Sequence, residues 1–401
     1  MEYSKNPFTP TFGSIPPFLA GREHILRDIN RGFINGPGDP NLSTIFTGAR
    51  GTGKTALLSL LSETALEHDW IAANVSAMPG MLEDIIERTK EAADSYLSQP
   101  HARINGVQIG PVGIDWTYAQ EAQGNWRTRM NSIFRQLEKH DIGLLITIDE
   151  VTVDLDEMLQ FASVYQHFVR EGKKVALLMA GLPYKVSALL RNDSVSFLRR
   201  SQYHQLGRIT DVEIANAFRK TIEAGGRSIM PEALEDAVKA VDGFPYMMQL
   251  VGYRTWDVSE NSPKISAPDV QQGSLLARME LRDRILETTY RELSDKDIEF
   301  LLAMLPDSGP SRVSEIAKRM GVASNYASQY KRRLLEDGVI GERGRGLVGF
   351  DIPAFREFLN EKAFYHTGIV RGSINAWQSA FLLVREIAFP PTPIAMRSSC
   401  P

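Results

Sequence analysis

The sequence has little cysteine and no long apolar run. Its 401 residues contain one cysteine, Cys400, which excludes a disulfide framework and a cysteine-based zinc site. No apolar stretch approaches the roughly 20 residues that a membrane span requires, since Arg385 and Glu386 interrupt the best one, Ala380 to Val384. The first residues are polar and broken by Pro7, so no signal peptide is expected. We therefore expect a soluble cytoplasmic protein without membrane contact.

The sequence also lacks a strong excess of charge of either sign. A formal net charge of -4 gives no global attraction to nucleic acid, so any DNA contact requires a local basic patch. The hydrophobic content of 43% and the charged content of 23% are ordinary for globular proteins. A chain of 401 residues is long enough for about two or three domains.

The first half of the chain alternates short apolar runs with helical periodicity. Apolar throughout, these runs are typical of parallel strands covered by helices on both faces. The alternation predicts βαβ units around a parallel sheet and an α/β fold. The apolar runs predict strands at Ser43–Thr47, Ile71–Val75, Leu144–Ile148 and Val175–Ala180, and Tyr203–Gln205 is a further strand-like segment. A stretch rich in Gly and Pro, 98–118, predicts a hairpin insertion with strands at 106–109 and 112–115.

A phosphate-binding motif follows the first predicted strand. The segment Gly48-Ala49-Arg50-Gly51-Thr52-Gly53-Lys54-Thr55 matches G-x-x-x-x-G-K-[ST] in full and opens a predicted helix that continues with Ala56. Its glycines let successive N–H groups and the helix N-terminus point at phosphates. Lys54 is expected to meet the β- and γ-phosphates, and the Thr55 hydroxyl is expected to ligate Mg²⁺. The sequence therefore predicts a nucleotide site for ATP and Mg²⁺.

Two carboxylates end the third predicted strand, where ligands of α/β sheets bind. Asp149 is placed to hold Mg²⁺, and Glu150 is placed to accept a proton from the water that attacks the γ-phosphate. Because no phosphate-acceptor motif is present, ATP hydrolysis is favoured over kinase chemistry.

These residues resemble the AAA+ superfamily, and within it the origin-recognition and helicase-loader-like ATPases and the related signal-transduction (STAND) NTPases. The resemblance covers roughly 18–359 and implies an ATPase core, a helical lid and a C-terminal winged helix. It implies that Gly21-Arg22-Glu23 borders the adenine and that Asn74 or Ser76 orients the catalytic glutamate.

Two departures from the family pattern concern its sensor residues. The strand ending at Ala180 lacks the polar residue that contacts the γ-phosphate. The lid has Gly243-Phe244-Pro245 where loaders carry an arginine, a pattern closer to the STAND signature, which implies that Pro245 lies at the nucleotide. Both departures leave nucleotide binding expected and place the hydrolysis rate in question.

Arg199 and Arg200 precede the fifth predicted strand, where the family places an arginine finger that reaches a neighbouring subunit. Such a guanidinium would neutralise charge on the γ-phosphate and implies self-association. The alternative is a basic helix C-terminus that complements the helix dipole. The residues leave both interpretations open.

The C-terminal third predicts a winged helix-turn-helix, with helices from Ser294, Val313 and Ser324 and a glycine-rich hairpin at 339–350. Between Arg312 and Arg345 the sequence has eight basic residues and four acidic ones. A basic surface of this kind fits contacts to duplex DNA. The candidate DNA-binding residues are Asn325, Ser328, Gln329 and Arg332 on the third helix and Arg343 and Arg345 at the hairpin tip.

We therefore predict an ATPase core (1–207), a helical lid (208–285), a winged helix (286–362) and a tail of uncertain order (363–401). The favoured function is ATP hydrolysis with nucleotide-dependent binding to double-stranded DNA. The alternative is a slow or non-hydrolysing nucleotide switch whose winged helix binds a protein partner.

Overall fold

A computed structural model describes residues 5–11, 13–98, 103–104, 107–108, 125–259 and 262–369. The predicted tail lies outside the described residues from position 370 onward. Among the described residues, no helix is long and apolar enough to cross a membrane.

The core is a five-stranded parallel sheet in the order β2-β5-β6-β1-β7. Its strands are β1 (Ser43–Thr47), β2 (Trp70–Ser76), β5 (Gly143–Asp149), β6 (Val175–Gly181) and β7 (Gln202–Gln205). Successive side chains point to opposite faces, so Ile146 and Ile148 join one apolar cluster while Leu145 joins the other. The predicted α/β fold with a parallel sheet is confirmed, and each strand ends within a residue of its predicted bounds.

Helices cover both faces of this sheet. They are α1 (Glu23–Asn35), α2 (Lys54–Leu66), α3 (Met81–Ser98), α4 (Trp126–Glu138), α5 (Asp156–Arg170) and α6 (Pro183–Arg191), with 3₁₀ turns at Pro40–Leu42 and Asp193–Arg200. Local capping sets where they begin: the side chain of Asn125 accepts a hydrogen bond from the Thr128 N–H at the start of α4.

The predicted hairpin insertion is described only in part. Two short strands, β3 (Arg103–Ile104) and β4 (Val107–Gln108), pair antiparallel. The observed β4 overlaps the strand predicted at 106–109. The strand predicted at 112–115 lies outside the described residues.

Four helices form the lid after β7: α7 (Asp211–Ala224), α8 (Pro231–Val241), α9 (Pro245–Val258) and α10 (Ala267–Leu281). A short parallel pair, β8 (Ser228–Ile229) and β9 (Lys264–Ile265), joins two of its connections. The lead-in near the N-terminus also belongs here, because Phe8 is 2% exposed and packs on Gly252, where a Cβ would lie 2.2 Å from the ring. That contact was not predicted.

The predicted boundary between 285 and 286 falls on a π-helical turn, Arg282–Leu286, that joins α10 to α11 (Glu287–Glu292). The remaining elements are α12 (Asp295–Met304), α13 (Val313–Arg319), α14 (Ser324–Glu336), α15 (Phe355–Ile369) and the strands β10 (Ser311–Arg312), β11 (Ile340–Glu342) and β12 (Leu347–Phe350). Three helices followed by an antiparallel β11–β12 hairpin are the elements expected of a winged helix. A continuous apolar cluster runs from the lid into this unit.

Candidate functional site

The turn between β1 and α2 requires glycine at three positions. Gly51 and Gly53 adopt φ values of +78° and +83°, the left-handed region that favours glycine. A Cβ at Gly48 would lie 2.6 Å from the Thr52 hydroxyl and 2.7 Å from the Leu206 carbonyl oxygen. The motif therefore forms the compact loop ahead of a helix N-terminus that its spacing predicts.

The Lys54 side chain lies back along this loop. Its Nζ donates hydrogen bonds to the carbonyl oxygens of Gly48 (2.9 Å) and Ala49 (2.8 Å). Burial lowers the pKa of Lys54 to about 8, while Asp149 and Glu150 act in the opposite direction. Burial thus disfavours the ammonium form, and an anionic ligand beside Nζ would favour it.

Thr55 and Asp149 meet at the carboxyl edge of the sheet. The Thr55 hydroxyl donates to Asp149 Oδ2 at 2.5 Å, and the other carboxylate oxygen accepts the Glu150 N–H at 2.8 Å. A hydroxyl and a carboxylate oxygen in contact are the hard donors that Mg²⁺ prefers. Among the described residues, no group of three or more His, Cys, Asp or Glu side chains could hold a metal, so a metal here would also need ligands from the nucleotide.

Glu150 is exposed and has a φ of +56°, which turns the chain out of β5 directly after Asp149. Neither candidate for orienting it makes a hydrogen bond to it within the described structure. Asn74 Oδ1 accepts from Ser62 and Thr147, both at 2.7 Å, and Ser76 pairs in register with Asp149. The Asn74 side chain is therefore part of the sheet's own hydrogen bonding.

The lid contacts the P-loop through its third helix, α9. A Cβ on Gly53 would lie 3.9 Å from the Pro245 Cβ, and one on Gly51 would lie 3.5 Å from the Tyr246 Cβ. At the end of β6, Gly181 is buried, and a Cβ there would lie 2.8 Å from Val151 Cγ2. No space exists at that position for a polar sensor side chain.

The two candidate finger arginines differ. The Arg199 guanidinium donates from Nε to the Leu190 carbonyl oxygen at 2.7 Å, so it caps the C-terminal end of α6. Arg200 is exposed and makes no side-chain hydrogen bond or ion pair with any residue that the structure describes. The geometry favours the helix-end interpretation for Arg199 and leaves Arg200 as the candidate finger.

The predicted polar stripe on α14 is exposed as expected, while its supporting residues Ala327 and Leu334 are fully buried. Most of the surrounding basic residues form ion pairs within the unit. The paired ones, with their partners, are Arg319 with Asp307, Lys331 with Glu342, Arg332 with Glu336, Arg333 with Asp297 and Arg343 with Asp351. Of the eight, only Arg312, Lys318 and Arg345 form no ion pair with a described residue.

A cavity of about 710 Å³ opens between the core, the lid and the winged helix, and the sequence did not predict it. Its walls include Gly48 and Ala49 of the P-loop, Pro245 of the lid, and Arg343 and Asp351 of the hairpin. Gly341 and Gly349, which face each other in the β11–β12 pairing, also line it.

The P-loop and the winged helix also touch beside this cavity. A Cβ at Gly338, in the turn after α14, would lie 3.1 Å from Leu182 and 3.6 Å from Arg50 Cγ. Partial burial raises the pKa of the neighbouring Asp337, and Arg50 opposes that rise. Arg50, predicted only as a P-loop member, therefore lies against the winged helix.

Comparisons with known proteins support this architecture. The ORC2 protein of Aeropyrum pernix, solved as ADPNP–ADP complexes, matches with a TM-score of 0.60 and 15% identity over 88% of this chain and 96% of that one. A Walker-type ATPase of Pyrococcus abyssi matches with a TM-score of 0.61 and 13% identity over 85% and 96%. These matches show that the chain shares the fold of these two proteins.

At the sequence level, residues 283–359 match the family described as a domain of unknown function (DUF8462). This match spans α11 to α15 and covers most of the predicted winged helix. No curated protein matches the chain.

Proposed function

We propose that the chain binds ATP and Mg²⁺ at the P-loop, hydrolyses the nucleotide, and contacts duplex DNA through its winged helix. The observation that carries the proposal is the meeting of three groups at one sheet edge: Lys54 at the P-loop carbonyls and Thr55 in contact with Asp149. These are groups that phosphoryl transfer uses, brought together from α2 and β5.

Thr55 and Asp149 would hold Mg²⁺, which would neutralise charge on the phosphates when bound. The P-loop N–H groups and Lys54 would hold the phosphate oxygens. Glu150, exposed at the same edge, would accept the proton of the attacking water. Pro245 would contact the nucleotide from the lid side.

The DNA part of the proposal depends on the exposed side chains of α14 and on Arg345. Asn325, Ser328, Gln329 and Arg332 form the surface that would enter a major groove. Because most nearby cations are already paired, few phosphate contacts would form, and affinity would be modest and sensitive to salt.

A steady-state phosphate-release assay with and without mixed-sequence duplex tests both parts. We expect ATP turnover that depends on Mg²⁺ and changes when DNA is added. Binding of labelled ATP without any release of phosphate would contradict hydrolysis. A turnover rate that is indifferent to DNA, together with no fluorescence anisotropy change for labelled duplex, would contradict the DNA contact.

The second candidate function is a nucleotide switch whose winged helix binds a protein. The observation that favours it is the buried end of β6, where Gly181 packs against Val151 and leaves no space for a polar sensor. This reading predicts tight nucleotide binding with negligible phosphate release. The two functions therefore differ in two measurements, the turnover rate and the binding of duplex DNA.

A further inference from the structure

One arginine of the wing, Arg343, lines the cavity beside the P-loop. The Arg343 guanidinium donates to the carbonyl oxygen of Phe350 at 3.0 Å and to the Asp351 carboxylate. Its side chain is 37% exposed, and that of Asp351 is 10% exposed. The pair therefore lies on the side of the wing that lines the cavity.

Two glycines make space for this pair. A Cβ at Gly349 would lie 3.2 Å from Arg343 Cγ, and one at Gly341 would lie 2.5 Å from both the Arg343 guanidinium and the Asp351 carboxylate. Gly341 and Gly349 face each other across the hairpin, so the absence of both side chains leaves space for the ion pair. Side chains at either position would displace it.

The pair shares its cavity with the P-loop. Gly48, Ala49 and Thr52 line the same space as Arg343 and Asp351. The electrostatic link is direct, because Asp351 is one of the carboxylates that oppose the lowering of the Lys54 pKa by burial. Phosphates bound beside Lys54 would therefore act on Asp351, and through it on Arg343, its ion-pair partner.

The other arginines on the cavity wall have different surroundings. Arg208 pairs with Asp242 and stacks on Phe244 at 4.8 Å, and Arg356 donates to the carbonyl oxygens of Leu305 and Asp307 at 3.0 and 2.7 Å. Arg191, on α6, faces the same cavity and has no ion-pair partner among the described residues. Only Arg343 is paired to a carboxylate that also acts on Lys54.

We propose that Arg343 and Asp351 form a phosphate-responsive pair, in which Arg343 exchanges its carboxylate partner for phosphate oxygens of the nucleotide. The inference depends on the proposed nucleotide binding at the P-loop. A guanidinium binds phosphate and carboxylate with the same two-pronged geometry, so the exchange conserves its hydrogen bonds. Asp351 is repelled by the same phosphates, which favours the exchange.

The two partners therefore have opposite effects on affinity. Removing Arg343 removes a phosphate contact. Removing the charge of Asp351 removes its repulsion of the phosphates and its competition with them for the Arg343 guanidinium. A purely structural ion pair would instead lose stability, and with it affinity, when either partner is changed. The sign of the Asp351→Asn effect thus distinguishes the two explanations.

Isothermal titration calorimetry of the full chain with a non-hydrolysable ATP analogue and Mg²⁺ tests the proposal. Arg343→Ala should weaken binding by about tenfold, the usual loss for one hydrogen bond to a charged group, and Arg343→Lys should restore part of it. Asp351→Asn should tighten binding about threefold or more, as expected for removing one like charge near the phosphates. In both variants the affinity for ADP should change less than the affinity for the ATP analogue.

Two matched variants define the background. Arg319→Ala breaks an ion pair of the same unit that does not line the cavity. The nucleotide affinity of this variant should equal that of the wild type. Arg191→Ala removes an unpaired arginine from the cavity wall and should weaken binding less than Arg343→Ala. Thermal unfolding followed by circular dichroism should show one cooperative transition for every variant.

Weaker binding in Asp351→Asn, unchanged binding in Arg343→Ala, or equal losses in Arg191→Ala and Arg343→Ala would each overturn the proposal. Wild-type protein that binds no nucleotide would instead overturn the proposed function itself. The two failures are therefore distinguishable in one titration series.

Discussion

Cationic side chains at the P-loop and in the winged helix have different partners. At the P-loop, Lys54 donates to two backbone carbonyl oxygens, which carry no net charge, and burial lowers its pKa. In the winged helix, residues such as Lys331 and Arg333 donate to carboxylates of the same unit. The first arrangement leaves a positive charge available for an anionic ligand, and the second neutralises most of the charge within the protein.

This difference concerns function more than stability. Exposed ion pairs contribute roughly 0–1 kcal/mol each, so those of the winged helix stabilise it only slightly. Their main effect is to reduce the number of cations that could contact a DNA backbone. The comparison predicts a strong nucleotide site and a weak DNA surface, and variants at each place can test it.

The largest expected effect is the loss of nucleotide binding in Lys54→Ala. The substitution removes the ammonium and its two hydrogen bonds to loop carbonyl oxygens, while the glycines that set the loop backbone stay in place. We expect no measurable binding of a fluorescent ATP analogue and an unchanged circular dichroism spectrum. Lys173→Ala, which breaks a surface pair with Glu138, is the matched control and should bind normally. Unchanged affinity in Lys54→Ala would show that the nucleotide site lies elsewhere.

Glu150→Gln should lower phosphate release by roughly 10²–10⁴-fold, the usual contribution of a general base, while ATP still binds. Glu157→Gln is a control on a nearby carboxylate with a structural role, since Glu157 accepts the Gly80 and Leu82 N–H groups ahead of α3. It should reduce thermal stability and leave turnover nearly unchanged. If both variants lose turnover equally, Glu150 has no special role in the chemistry.

Nucleotide affinity should fall as pH rises above about 8, the lowered pKa of Lys54. Phosphate binds the charged amine, so affinity is full below that pH and decreases above it as the free protein loses the proton. At pH 9 the affinity should be roughly tenfold lower than at pH 7, since one pKa unit corresponds to a factor of ten. Titration calorimetry in buffers of different ionisation enthalpy should also detect proton uptake on binding. A flat profile from pH 7 to 9.5 would contradict the role of Lys54.

In the winged helix, Arg345→Ala should weaken binding to all duplexes alike and reduce the salt dependence by about one unit per lost phosphate contact. Arg319→Ala removes a cation already paired with Asp307 and should leave the salt slope unchanged. Gln329→Ala should weaken binding only to a duplex of preferred sequence. Fluorescence anisotropy across a salt series measures all three, and identical slopes for Arg345→Ala and wild type would remove Arg345 from the DNA surface.

The smallest effect is expected at the candidate finger. Arg199→Ala should lower stability by about 1 kcal/mol through the lost hydrogen bond to the end of α6, with little effect on turnover. Arg200→Ala mixed with Lys54→Ala should regain some ATPase activity if Arg200 reaches a neighbouring subunit. Strictly monomeric protein in ATP by light scattering would exclude that role for Arg200.

The sequence predicted the elements well where local rules decide them. The strand Ser43–Thr47 has the predicted bounds, and the helices predicted from Val313 and Ser324 begin at those residues, because apolar runs and helix starts are set locally. It missed contacts between distant segments, such as Phe8 against Gly252, since nothing near Phe8 in the chain indicates the partner.

The sequence by itself determined the nucleotide motif and the parallel sheet that presents it. The glycine spacing fixes the loop backbone, and strand ends fix the positions of Thr55 and Asp149 at one edge. Only the tertiary structure decided which carboxylate, if any, each arginine pairs with. Arg343 and Arg345 are two residues apart, yet Arg343 pairs with Asp351 over two glycines and Arg345 forms no ion pair with a described residue, because the pairing of β11 with β12 sets their directions. A charged side chain takes its partner from the packing of distant elements, and residue spacing does not encode that packing.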